Sequence, residues 1–263
     1  ASRLSKAFVG AYAQAILTKT DDLYLLVEPA DLGVGRNLRY AGKHASHEIE
    51  RLIALTTPND HVIFIGAHVG SVALRITKQV KYATLIEANP TSYELLRLNT
   101  VLNHIENTST HNLAIGEASG SIEFLQNTAN SGGSKRRPVN ETQMYTYDSP
   151  NIINVHMETL DSILDDGENY SLIHMDLEGS EPFALQGMQS TLSRTRHLAM
   201  EFIPHHITNV SKISIEEYCK LITPYFSSFS TGTESLSIDH LEETLLDAMK
   251  DSTEYECIIF SKN

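Results

Sequence analysis

From residue 60 onward, short β-branched runs alternate with segments whose apolar residues recur every three or four positions. That alternation constrains the chain more than any other feature, because it builds α/β units around a shared sheet. Residues 61–65 read as a buried strand ending at Gly66, with Val69, Val72, Ala73 and Ile76 following at helical spacing. Residues 82–87 read as a second strand, stopped by Asn89–Pro90, an N-cap followed by proline at the first helical position. Leu95, Leu98 and Leu102 predict one apolar face for the helix that follows. Strands are predicted over 108–115, 121–125, 171–176 and 197–202, with an extended stretch at 152–156 and a short helical turn from 159. Helices are predicted from 181 to 186, over 215–222 and over 241–249, and residues 225–231 and 255–261 read as a closing antiparallel pair. The expected fold is a Rossmann-like doubly wound α/β sheet, mostly parallel with an antiparallel C-terminal strand.

A chain of 263 residues, 41% of them hydrophobic, fills one such domain without a second core. The reading places that domain at 60–263, with residues 1–59 as an N-terminal extension packed on it. Residues 7–17 read as an amphipathic first helix and not a leader, because Tyr12 and Gln14 interrupt the apolar run and no small-residue cleavage site follows. No stretch approaches the ~20 apolar residues of a membrane span. A formal net charge of −13 repels nucleic acid and anionic membranes on average. The one concentrated basic run, Ser134–Lys135–Arg136–Arg137, sits in the long polar stretch 126–150. It reads as a solvated loop tip, with a lid over an anionic substrate or cofactor group as the other reading. Cys219 and Cys257 fit neither a zinc nor a disulfide spacing, and are expected as buried thiols in the reducing cytoplasm. Oligomerisation is left open.

Three constellations carry chemistry. Gly66–Ala67–His68–Val69–Gly70 joins a strand to a helix, where glycines permit a sharp turn and close approach of a ligand. It lacks the third glycine of the dinucleotide pattern. Glu87 falls at the next strand end, 21 positions after Gly66, where ligands of open α/β sheets bind, and an acid there can hold both hydroxyls of a ribose. Asp176–Leu177–Glu178–Gly179–Ser180–Glu181 gathers three carboxylates at a strand terminus. Such crowding raises the pKa of at least one member unless a cation relieves it.

In order and spacing these residues resemble the FkbM-type methyltransferases, over roughly residues 40 to 205. That family's pattern runs D-[IV]-G-A-N-x-G, E-x-x-P, N-x-x-x-N and D-[VL]-E-G-x-E. It meets Phe64–Ile65–Gly66–Ala67–His68–Val69–Gly70, Glu87–Ala88–Asn89–Pro90, Asn99 with Asn103, and the acidic element starting at Asp176. Asn112–Leu113–Ala114, Thr159–Leu160–Asp161 and the strand ending at Glu201 match as well. The resemblance implies a class I fold that binds S-adenosylmethionine, with Gly66, Ala67, His68 and Gly70 against its methionine part. It implies Glu87 and Ala88 at the ribose, Asn112, Leu113 and Ala114 flanking adenine, and Asp176 and Glu178 toward the reacting centre. Three positions depart from the pattern: Phe64 replaces the family acid that helps hold the cofactor's ammonium, His68 replaces Asn, and His174 replaces Lys. Asp176 or Glu178 then stands as the compensating acid.

The implied reaction is methylation of a hydroxyl on a small molecule, sugar or natural product. A hydroxyl acceptor needs a base, and Asp176 or Glu178 is the first choice, with His174 on the same strand face as Asp176 in support. His205–His206 reads as a surface turn, or else as a base or metal ligand. A metal held by Asp176, Glu178, Glu201 and His205 is a conceivable variant, although no metal is expected. The rival readings are a catalytically degenerate cofactor-binding or scaffolding module and a nicotinamide-dependent oxidoreductase.

Overall fold

The computed structural model describes residues 8–10, 12–164 and 167–262. An antiparallel pair, β1 (Ile16–Lys19) and β2 (Tyr24–Val27), leads into helices α1 (Val34–Ala41) and α2 (Ser46–Ala54). The α/β core follows as β3 (His61–Ile65), α3 (Ala73–Thr77), β4 (Tyr82–Ile86), α4 (Pro90–Leu102) and β5 (Thr108–His111). A smaller unit holds β6 (Ala114–Ile115), β7 (Gly120–Gln126), β8 (Lys135–Arg136) and β9 (Asn151–Glu158). The chain then returns to the core through β10 (Tyr170–Met175), α5 (Glu181–Gln186) and β11 (Thr195–Phe202). It closes with α6 (Ile215–Lys220), β12 (Ser228–Ser230), β13 (Leu236–Ser237), α7 (Leu241–Asp251) and β14 (Tyr255–Ser261).

The large sheet has the order β13-β12-β14-β11-β10-β3-β4-β5. The five strands from β11 to β5 run parallel, and β14 lies antiparallel on β11. Two apolar layers cover it, as parallel strands require. Along β3, Ile63 and Ile65 enter one layer with Ile173 and Met175, while Val62 and Phe64 enter the other with Leu172. The chain leaves β3 toward β4 and β5, then returns on the other side through β10 and β11. The crevice between β3 and β10 is therefore the switch point where open sheets bind ligands.

The small sheet has the order β6-β9-β7-β8. The expected strand over 108–115 is two strands, because the chain passes from one sheet to the other at Asn112–Leu113. The expected first helix is corrected too: Ile16–Lys19 pairs as β1, and residues 12–15 are not helical. Residues 7 and 11 of that reading lie outside the described residues.

Helix α4 also departs from the expectation. Leu98 and Leu102 are exposed, and the buried face carries Leu95, Leu96, Asn99 and Thr100. Asn99 accepts from the Leu26 amide at 2.6 Å and donates to the carbonyls of Leu26 and Val69 at 3.1 and 2.8 Å. One turn on, Asn103 accepts from the Tyr24 amide and donates to its carbonyl, at 2.9 and 2.7 Å. The two side-chain amides take up backbone groups of β2 that a neighbouring strand would otherwise satisfy.

Candidate active site

A cavity lies at the carboxyl ends of β3, β4 and β10. Gly66, Ala67 and His68 form one wall, Glu87 and Ala88 the next, and Leu113 and Ala114 a third. His174 and Asp176 close the far side. Gly70, Asn112 and Glu178 are not on the wall.

Gly66 has φ 83°, and a Cβ there would lie 2.0 Å from the Asp176 carbonyl oxygen, so only glycine lets β3 and β10 close up at this point. Gly70, at φ 89°, makes room for Leu74 and Leu96 behind the turn. His68 takes a left-handed conformation, φ 50°, which turns its backbone N–H onto Glu87 Oε2 at 2.8 Å. Glu87 Oε1 accepts from the Asn89 amide at 2.7 Å. Burial nonetheless pushes the Glu87 carboxyl up to about 7, against the lowering effect of those backbone bonds. Asn112 donates to the Glu87 and Ala88 carbonyls at 2.8 and 3.3 Å and so fixes the wall from behind.

The His68 ring belongs to a chain of groups that crosses the cavity mouth. Ser131 Oγ donates to Asp31 Oδ2 at 2.8 Å and therefore accepts from His68 Nε2, also at 2.8 Å. That ordering leaves Nδ1 as a lone-pair acceptor, buried and without a protein partner. Burial lowers the His68 pKa to about 4, so the ring is neutral. Asp31 is itself fixed by the Gly33 and Gly35 amides before and within α1.

His174 Nε2 donates to Glu48 Oε1 of α2 at 2.8 Å, with its ring 5.4 Å from that of Phe64. Glu48 and His44 both reach the cavity wall. Burial pushes the Glu48 carboxyl up, but the hydrogen bond and charge of His174, then His44 and Arg51, hold it below its ordinary value. Asp176 is open to water through the cavity. Surrounding protein raises its pKa well above normal, and Glu178, Glu48 and Glu181 add to the shift. Water in the mouth softens that effect, which is felt in full when a ligand fills the cavity.

Behind Asp176 lies a charged cluster. Lys135 Nζ meets Glu178 Oε2 at 2.7 Å and His206 Nε2 at 3.3 Å. Lys135 is 5% exposed, so the basic run is not a solvated tip: it forms β8, and Arg136 forks onto Glu117 at 3.0 and 3.1 Å. His206 is likewise buried and not part of a surface turn. Glu178, Glu201 and His206 converge as candidate metal ligands, with His206 in the place expected for His205 and Asp176 outside the group. The Lys135 ammonium already lies against two of the three and supplies a cation of its own. Burial, then Lys135 and His205, push the His206 pKa down to about 2. Burial raises Glu181 to about 7 and Glu201 well above its usual value.

Sequence reasoning missed Asp31, His44, Glu48 and Ser131, and named Lys135 only within the basic run. The only available signal was the 126–150 stretch, whose short turn Ser131–Gly133 brings Ser131 and Gly132 to the cavity.

A mostly parallel doubly wound sheet that carries an antiparallel C-terminal strand, as β14 on β11 here, is the fold of the class I methyltransferases. Residues 65–229 match the methyltransferase FkbM domain, and the chain belongs to that family. The 2-O-methyltransferase NoeI of Sinorhizobium fredii (strain NBRC 101917 / NGR234) is 27% identical over 160 residues, 56% of this chain and 65% of its own length. The match thus takes in less than two thirds of that protein. The FkbM methyltransferase of Methylobacillus flagellatus KT aligns at 18% identity over 78% of this chain and 44% of its own, with a TM-score of 0.45. The tRNA m1G37 methyltransferase of M. jannaschii aligns at 15% identity over 97% of this chain and 58% of its own, with a TM-score of 0.46.

Proposed function

We propose that the chain is an S-adenosylmethionine-dependent O-methyltransferase whose acceptor is a hydroxyl of a small molecule, such as a sugar or natural product. The observation that carries this reading is the pairing of Glu87 with Asp176 in one cavity. They stand at the ends of β4 and β10 with β3 between them, two strand spacings or about 10 Å apart. The groups on the cavity wall suit an elongated nucleoside. Gly66 leaves its backbone bare at the wall, Glu87 has both oxygens oriented by backbone amides, and His68 keeps a buried acceptor without a partner.

S-adenosylmethionine, when bound, supplies a methyl group on a positively charged sulfur. Glu87 would hold the ribose hydroxyls, and Leu113 with Ala114 would flank the base. Asp176 would take the proton of the acceptor hydroxyl: its raised pKa brings it toward neutrality, where a general base works best. Closure by the Ser131–Gly133 turn would exclude water. That NoeI is a 2-O-methyltransferase supports oxygen as the acceptor atom. We place Glu178 outside the reacting centre because Lys135 engages it, and His174 as a support for Glu48. We also read residues 1–59 as part of the same folded unit and its site of action as the cytoplasm. The support for the latter is that Cys219 and Cys257 are buried free thiols and that no helix among the described residues is long and apolar enough to cross a membrane.

Titration calorimetry with S-adenosylmethionine and S-adenosylhomocysteine is the test. Micromolar binding that falls at least tenfold in Glu87→Ala supports the reading, and no binding of either ligand by the wild type sinks it. Asp176→Asn should keep that binding while turnover of a hydroxyl acceptor drops by about 10²–10⁴.

A further inference from the structure

The cavity wall carries three carboxylates, Glu48, Glu87 and Asp176, and only one fixed positive charge, Arg136, which is engaged by Glu117. A ligand that fills it must therefore bring positive charge or leave carboxylates unbalanced. Glu87 is committed to two backbone amides on the β4 side. The other two face the β10 side, close enough that the Glu48 charge acts on Asp176.

Of that pair, Glu48 is the better cation acceptor on geometric grounds. His174 engages Oε1 alone, and among the described residues no donor reaches Oε2. Phe64 is the registered strand neighbour of His174, with its ring beside the imidazole, so the strand face beneath Glu48 offers no charge of its own. Resting on the proposed function, we infer that Glu48, carried by the N-terminal helix α2, is the binding residue for the α-ammonium of the cofactor's amino-acid end. The carboxylate normally contributed by a strand comes in this chain from a helix packed over that strand. Its downward-shifted pKa keeps Glu48 ionised at neutral pH, and with the ammonium engaged there Asp176 is left free for the acceptor.

The test compares two ligands that differ at that end: S-adenosylhomocysteine, which has the ammonium, and 5′-methylthioadenosine, which has no amino-acid end. Glu48→Gln should weaken S-adenosylhomocysteine ten- to a hundredfold and leave 5′-methylthioadenosine within twofold, and that second titration shows that the site is still folded. Unchanged S-adenosylhomocysteine binding, or an equal loss for both ligands, overturns the inference. A ligand-side measurement needs no variant: the deaminated analogue of S-adenosylhomocysteine should bind the wild type at least tenfold more weakly, and equal affinity overturns the assignment. A wild type that binds neither nucleoside defeats the proposed function as well. One that binds both nucleosides equally defeats only the role of Glu48.

Discussion

Two of the three positive-φ residues in the turn after β3, Gly66 and His68, reach that region by different routes. Gly66 has no alternative, because the Asp176 carbonyl fills the space of a side chain. His68 is an L-residue in the same region, kept there by its amide bond to Glu87 and its ring bond to Ser131. Gly66→Ala should cost about 2–4 kcal/mol in denaturant melts and abolish nucleoside binding, because backbone must move before the Cβ fits. Lys135 presents a different balance. It is buried against Glu178 and His206, with Glu181 and Glu201 adding negative charge to the same cluster. Lys135→Met should destabilise by about 3–5 kcal/mol at pH 7. The loss should shrink toward pH 5, where Glu181 and Glu201, whose pKa values are raised, hold their protons, and thermal melts at the two pH values check both statements. None of this was legible beforehand: the sequence shows a basic run in a polar stretch, and nothing local says which of its members turns inward.

At the scale of elements, α4 shows where periodicity misleads. Leucines at 95, 98 and 102 suggest an apolar face, but the helix turns Asn99 and Asn103 inward because β2 presents unpaired backbone there. The asparagines were legible as a family pattern; their work as a substitute strand was not, since the partner lies 73 to 79 residues away. Asn99→Leu keeps the branching and heavy-atom count and removes three hydrogen bonds, taking that partner from backbone groups of half-buried Leu26 and buried Val69. It should cost about 3 kcal/mol or more and raise amide exchange selectively in β2. The acidic element at the end of β10 was readable as a cluster of raised pKa, and Asp176 and Glu181 show that shift. The sheet crossing at Asn112–Leu113 was not, because both of its halves are extended.

For the whole molecule, pH dependence follows from the buried carboxyls. Glu87 and Glu181 sit near 7 when folded and near 4.5 when unfolded, so between those values the native state holds protons that the unfolded chain has released. These two carboxyls therefore contribute stability that is greatest at the acidic end of that window and is lost as pH rises from about 5 to about 8, while His68 and His206, held at about 4 and about 2, act in the opposite sense below about 6.5. Glu87 alone contributes on the order of 3 kcal/mol. Glu87→Gln should flatten the slope measured in melts across this range, and an unchanged slope would refute the assignment. The alternation of strands and helices made the doubly wound core and its switch point legible from residue 60 onward. The wall supplied by Val34, His44 and Glu48 was not, because those residues reach the cavity only through long-range packing of a segment that reads simply as an N-terminal extension. The family match begins at residue 65, whereas Glu48 stands before it. On the Glu48 assignment the cofactor pocket of this chain straddles the edge of its family domain, so a library that varies only residues 65–229 would leave that determinant unsampled.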